Sequence, residues 1–170
     1  SLNDEIVRYI ADKVTETSIV TGYTRATITN MDGEKVIFYS HPCFQGTSRY
    51  DWAYVHFQEI SANGTERESY YPSRILGFLD FNGGNTEAII QCASKSLLWS
   101  DVESDFFSRI RIDNTDNLSI VSVPISALVH PLCVFPDSFI DSNESFFVVL
   151  PKRNWSRYFG RKINNECINL

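Results

Sequence analysis

Arg25-Ala26-Thr27-Ile28-Thr29-Asn30-Met31-Asp32-Gly33-Glu34-Lys35-Val36-Ile37-Phe38-Tyr39 decides the fold class. Two runs with strand character, 25–30 and 34–39, flank Asp32-Gly33. That dipeptide suits the positive φ angles of a type I′ hairpin turn. A tight loop there pairs Met31 with Glu34, and so Ile28 with Ile37 and Ala26 with Tyr39, which places these four residues on one face.

Outward from this hairpin the period-two pattern continues. Strands are expected at 52–58, 74–81, 86–93, 106–112, 118–123 and 146–150, with a short extended piece at 132–135. Asn82-Gly83-Gly84-Asn85 joins two of them as a tight turn, and Ser61-Ala62-Asn63-Gly64 begins an exposed polar turn. Pro42 and Gly46 make 41–50 read as a loop. Residues 95–105 read as a loop with an acidic cluster, Asp101, Glu103 and Asp105, and 124–129 as a helical turn.

Both ends have helical spacing. Asn3 is placed to cap a first helix, with Asp4 and Glu5 in the turn where the helix dipole favours anions. Ile6, Val7, Ile10, Ala11 and Val14 form its apolar stripe, and the helix fades over 15–18. Pro151 opens a second helix running to about Lys162, with Trp155, Tyr158 and Phe159 on one stripe. The expected architecture is therefore mainly β with flanking helices (α+β), an antiparallel small β-barrel. It divides into an N-terminal helix (1–18), a barrel core (19–150) and a basic C-terminal helix (151–170) of one domain.

Composition agrees. The chain has 170 residues, 43% of them apolar and 21% charged, which excludes a mostly disordered or collagen-like polymer. No apolar run approaches the length of a membrane span. The four cysteines, Cys43, Cys92, Cys133 and Cys167, lie far apart with no CxxC pair. An acidic N-terminus unlike a signal peptide completes the expectation of an intracellular chain with reduced thiols. The formal net charge of -6 argues against a uniformly basic nucleic-acid binder. Yet Lys152, Arg153, Arg157, Arg161 and Lys162 fall in a segment without acids. The last helix is thus a candidate nucleic-acid contact, set against simple docking on the domain's own acidic surface.

Motifs for catalysis are missing: no GxSxG, no GxxxxGK[ST], no GxGxxG and no HExxH. The chain is read as a non-enzyme without a cofactor, with a zinc protein or a hydrolase built on the His/Cys pairs as a further alternative. His41, Cys43, His130 and Cys133 supply enough ligands for a tetrahedral zinc site, but their spacing is unusual for one, and ordinary burial of the cysteines is preferred. Phe44, Tyr50, Asp51, Trp52, Tyr71 and Trp99 are candidate partner-binding residues, because aromatics around a carboxylate can cage a methylated ammonium. Trp52, Tyr54 and His56 share one strand face and Ala53, Val55 and Phe57 the other, and the core reading of these aromatics is preferred.

One set of segments resembles bromo-adjacent homology (BAH) domains: Tyr50 to Phe57, Tyr71-Pro72-Ser73-Arg74-Ile75-Leu76-Gly77-Phe78-Leu79-Asp80, Ile89-Ile90-Gln91, and Ser126 to Val134. In that family a strand with an A-R-I-like core precedes its partner, and a late I-x-x-K-C-x-V segment closes the barrel. Ser73-Arg74-Ile75 and Leu128-Val129-His130-Pro131-Leu132-Cys133-Val134 are the matching pieces. The family's arginine-proline segment is replaced by Gln91-Cys92-Ala93-Ser94, and its opening Gly-Asp is absent. The resemblance covers about residues 20–150. It implies a non-catalytic module that binds chromatin, through a nucleosome or a histone tail, or a partner protein in a nuclear assembly, with no membrane contact. No aromatic cage carries over, because no matched cage motif is present.

Overall fold

The structure is a computed structural model that describes residues 2–15, 18–29, 33–93, 107–111, 120–136 and 145–149. Its elements are helix α1 (Leu2–Lys13) and strands β1 (Val20–Tyr23), β2 (Arg25–Thr29), β3 (Lys35–Phe44), β4 (Thr47–Tyr50), β5 (Trp52–Ile60), β6 (Glu66–Phe81), β7 (Thr86–Cys92), β8 (Phe107–Arg111), β9 (Ile120–Pro124), β10 (Leu128–Pro136) and β11 (Ser145–Val149). A 3-10 turn at Ile125–Ala127 joins β9 to β10.

The strands form two antiparallel sheets. The larger has eight strands in the order β8-β11-β10-β5-β6-β7-β9, with β1 beside β6; the smaller is β2-β3-β4. The path of the larger sheet is open among the described residues, so the fold is antiparallel β with a flanking helix, and no closed barrel is found. The C-terminal helix expected at 151–162 lies outside the described residues, as do Asp101, Glu103 and Asp105. No helix among the described residues is long and apolar enough to cross a membrane.

Alternation explains how the sheets pack. One face of the larger sheet presents Ala53, Val55, Ile75, Phe78, Ala88, Ile90 and Val123, and these pack with Ala26 and Phe38 of the smaller sheet. The opposite face carries Leu76, Ile89 and Ile120, against which Tyr9 of α1 and Leu79 pack. The last turn of α1 is tied there as well. Lys13 Nζ donates to Ser122 Oγ at 2.6 Å and lies 3.6 Å from the Glu87 carboxylate. Both sheet faces near β5 are therefore inside the molecule, and Trp52 to Val55 are buried without a break.

The first hairpin forms, but with a shifted register. Ala26 faces Phe38 and Ile28 faces Val36, not Tyr39 and Ile37. The shift turns the other face of β3 inward: Phe38 is fully buried, while Ile37 is 44% exposed. Both faces of β3 are apolar, so alternation could not choose between them.

Residues 41–50 are a second hairpin, not a loop. Gln45 and Gly46 both adopt positive φ, 50° and 85°, and turn β3 back into β4. A register shift between His41 and Phe44 absorbs the irregular stretch around Pro42. Strand β6 also starts earlier than expected and includes Tyr70, Tyr71 and Pro72. Proline is tolerated because the Pro72 carbonyl accepts from the Ala93 N–H, just past the end of β7. In extended backbone the nitrogen points to the same side, so no bond to β5 is lost. The turn at 82–85 occurs as expected, with positive φ at Asn82 and Gly83.

Helix α1 begins at Leu2, so Asn3 lies inside its first turn rather than at the cap. Its buried side is rotated from the expected stripe. Tyr9 faces the sheet, whereas Val7 is 64% exposed.

The register makes a testable distinction. Phe38→Ala should lower unfolding stability by about 3–5 kcal/mol, the usual cost of emptying a buried phenylalanine site. Ile37→Ala should cost no more than about 0.5 kcal/mol, as for a surface position. Urea denaturation measures both, and equal costs would contradict the observed pairing.

Candidate functional site

Three surface or near-surface constellations emerge from this framework. The first is the outer face of the β2-β3-β4 sheet. Alternation sends Ala26, Val36, Phe38 and Ser40 inward, and Arg25, Thr27, Thr29, Lys35, Ile37, Tyr39 and His41 outward. Arg49 joins them from β4, opposite His41. Its guanidinium lies over the Tyr39 ring, 4.2 Å from the centroid. The three strands contain Arg25, Lys35 and Arg49 and no acid, in a chain whose net charge is -6.

Asp51 sits where β4 passes to β5. One carboxylate oxygen accepts the Tyr39 N–H at 2.8 Å and the other accepts Arg49 Nε at 3.1 Å. Its own N–H donates to the Tyr39 carbonyl, and its carbonyl accepts from the Ile75 N–H, each at 2.9 Å. This residue thus bonds the smaller sheet to the larger one.

The second constellation crosses the larger sheet on its helix side. Leu132, Trp52, Arg74, Gln91 and Ile120 stand in register on β10, β5, β6, β7 and β9. Arg74 Nη2 donates to Gln91 Oε1 at 2.6 Å, and the guanidinium lies 5.9 Å from the Trp52 ring. Burial lowers the Arg74 pKa from its ordinary value, and the group stays protonated at neutral pH. Tyr54 and His130 are opposite each other in the next row. Burial likewise lowers the His130 pKa. An incoming ammonium at Trp52 would meet a cation already beside the ring.

The third is the far end of the β5–β6 hairpin. β10 pairs with β5 only as far as Val55, and β7 pairs with β6 only from Ser73 onward. Beyond His56 and Tyr70 the two strands therefore run as a two-stranded arm among the described residues, closed by the turn at 61–64. Glu59, Glu66 and Glu68 outnumber Arg67 on it, and Ile60 beside the turn is 75% exposed. At its base Tyr71 Oη and Ser69 Oγ donate to the two Glu59 oxygens at 2.7 and 2.8 Å. These donors, the tyrosine first, hold the Glu59 carboxyl below its ordinary pKa. On the other face His56 stacks on Tyr70, 5.1 Å between centroids, and its Nε2 lies 3.9 Å from Glu68.

The residues singled out from sequence are distributed among these places. Phe44, Tyr50, Asp51 and Trp52 follow the chain from the smaller sheet into β5, whereas Tyr71 belongs to the base of the arm, on a strand and not in a loop. Trp99 and the cationic set Lys152, Arg153, Arg157, Arg161 and Lys162 lie outside the described residues. His41 and Cys43 are on β3 and His130 and Cys133 on β10, in different sheets. His41 Nδ1 accepts the Cys43 N–H at 3.0 Å. Cys43 and Cys133 are free and exposed, so neither has the buried position expected for it. Among the described residues no group of three or more His, Cys, Asp or Glu side chains converges on a point where a metal ion would sit.

Compared with family models, curated proteins and solved structures, the chain matches none. Its site must be read from its own geometry. The expected register places Tyr39 with Ala26 and away from Arg25, and Arg49 lies in a segment that reads as a loop, so the sequence alone does not bring these residues together. Their signal is the odd-numbered spacing of cations along alternating strands. The Arg74–Gln91 contact spans two strands and needs the pairing to be known.

The Glu59 contacts predict a pH effect. The folded carboxyl is more acidic than the unfolded one, so its stabilising contribution is complete above the ordinary glutamate range and falls away as pH drops through the folded value. Tyr71→Phe should raise the Glu59 pKa toward its ordinary value in an NMR titration. An unchanged titration would show that the phenol does not hold the carboxylate.

Proposed function

We propose that this chain is a non-catalytic protein-interaction module of BAH-like, barrel-derived architecture, engaging a nucleosome or histone tail within a nuclear assembly. The observation that carries the reading is the β5–β6 arm. It offers an exposed aliphatic residue, Ile60, on the same face as Glu66, its cross-strand partner, and Glu68. A lysine-rich segment matches that chemistry in charge, and Ile60 adds apolar contact at the centre of such a surface. The ties of Ser69 and Tyr71 to Glu59 anchor the base of the arm, which reduces the ordering cost of binding.

Two further points support the architecture. All strand pairing is antiparallel among the described residues, and the smaller sheet closes over one face of the larger through Ala26 and Phe38. The segments that resemble the family, 73–75 and 128–134, lie on β6 and β10, the two neighbours of β5.

The test is retention of histone peptides and reconstituted nucleosomes by the immobilised chain. Glu66→Lys with Glu68→Lys should reduce retention at least tenfold, and Ile60→Asp should weaken it severalfold without lowering stability, since Ile60 contributes little to the core. Equal retention by wild type and the charge-reversed arm would reject the reading.

A further inference from the structure

The outer face of the β2-β3-β4 sheet is chemically the reverse of the arm. It projects cations from an acidic chain, and it is open: Arg25, Thr27, Thr29 and Lys35 are exposed and Ile37 is 44% exposed. Its back is fixed by Ala26 and Phe38 in the core. Its side is fixed by Asp51, which holds Tyr39 by one backbone bond and one carboxylate bond. From Lys35 to His41 the outward row of β3 extends about 20 Å at the usual strand rise. Lys35 stands at one end opposite Thr29, Arg25 stands opposite Tyr39 near the middle, and Arg49 stands opposite His41 at the other end.

We propose that this face binds single-stranded nucleic acid. Arg25 and Lys35, both exposed on a shallow sheet, track a phosphate backbone. Beside Arg25, the Arg49 guanidinium lies over the Tyr39 ring, and guanidinium groups and aromatic rings are the surfaces on which unstacked bases lie. The Thr27 and Thr29 hydroxyls add donors for phosphate or sugar oxygens. A duplex fits less well, because nothing on the face projects far enough to enter a groove. An acidic polypeptide would meet the same cations but brings no ring to lie on Tyr39, and competition by polyglutamate separates the two.

The experiment titrates the full 170-residue chain against a fluorescent oligothymidylate of roughly a dozen nucleotides, a length within the site-size range of single-strand binders. Anisotropy is read across salt from about 50 to about 200 mM. Two phosphate contacts, from Arg25 and Lys35, predict a slope of log affinity against log salt of about −1.4. Arg25→Glu with Lys35→Glu should reduce affinity at least tenfold, and Tyr39→Ala roughly tenfold, while Tyr39→Phe keeps binding. Because charge reversal could disturb the sheet, Thr27→Lys supplies the complementary test: an added cation on the same face should tighten binding and steepen the slope to about −2. Absent binding at the lowest salt, affinity indifferent to Thr27→Lys, or equal competition by polyglutamate would overturn the proposal, the last assigning the face to an acidic polypeptide. The arm variants Glu66→Lys and Glu68→Lys should leave the effects of the Arg25, Lys35, Tyr39 and Thr27 substitutions unchanged, so failure here is distinct from failure of histone retention.

Discussion

Strand β6 hydrogen-bonds to three neighbours along its length. β5 pairs with 66–74, β7 with 73–80, and β1 with 78–81. Sixteen residues in one extended run make this possible. A register shift between Ile75 and Gly77 lets the strand keep Ile75 and Phe78 on the core side, although an unbroken alternation would place them on opposite faces. The core face, the helix-covered face and the projecting arm all descend from this strand: its middle supplies Ile75 and Phe78 to one side and Leu76 to the other, and its N-terminal end forms half of the arm.

Much of this was visible in the residues, and the parts that were not have identifiable causes. Asp32-Gly33 and Asn82-Gly83 announce turns because their side chains or lack of them suit positive φ, and both hairpins exist. Gln45-Gly46 makes the same kind of turn but glutamine is a weak signal, and Pro42 nearby suggests interruption. The β3 register depended on choosing between Val36 with Phe38 and Ile37 with Tyr39, two faces of nearly equal hydrophobicity. Only the packing of Phe38 against the larger sheet decides it. Tyr70-Tyr71-Pro72 falls before the strand expected at 74 because proline usually leaves a ladder incomplete, and the reason it does not here is the end of β7, which no local reading reveals. The site was less legible than the fold. The cations of the smaller sheet gain meaning only once 41–50 is known to be a strand pair, and Arg74 meets Gln91 only across paired strands.

Apart from the basic segment 152–162, topology gathers charges that the sequence scatters. Arg25, Lys35 and Arg49 come from three separate strands, yet alternation brings them to one face. Glu59, Glu66 and Glu68 come from two strands and meet on one arm. A single net figure of -6 averages these two opposed surfaces. In solution their fields are felt only within about a Debye length, roughly 8 Å at physiological salt, so a partner close to one surface responds to that surface and not to the average.

Asp51 gives the two sheets a shared fate. Both backbone groups of Tyr39 bond to Asp51, and the Ile75 amide bonds to the Asp51 carbonyl. An opening motion that frees the smaller sheet must break bonds at the centre of β6's neighbourhood and bare Phe38 together with Phe78. The smaller sheet therefore does not behave as an independent foldon laid over a stable base. Its protection from solvent exchange is tied to that of the larger sheet, and a ligand that clamps its outer face would stiffen the whole core beneath it.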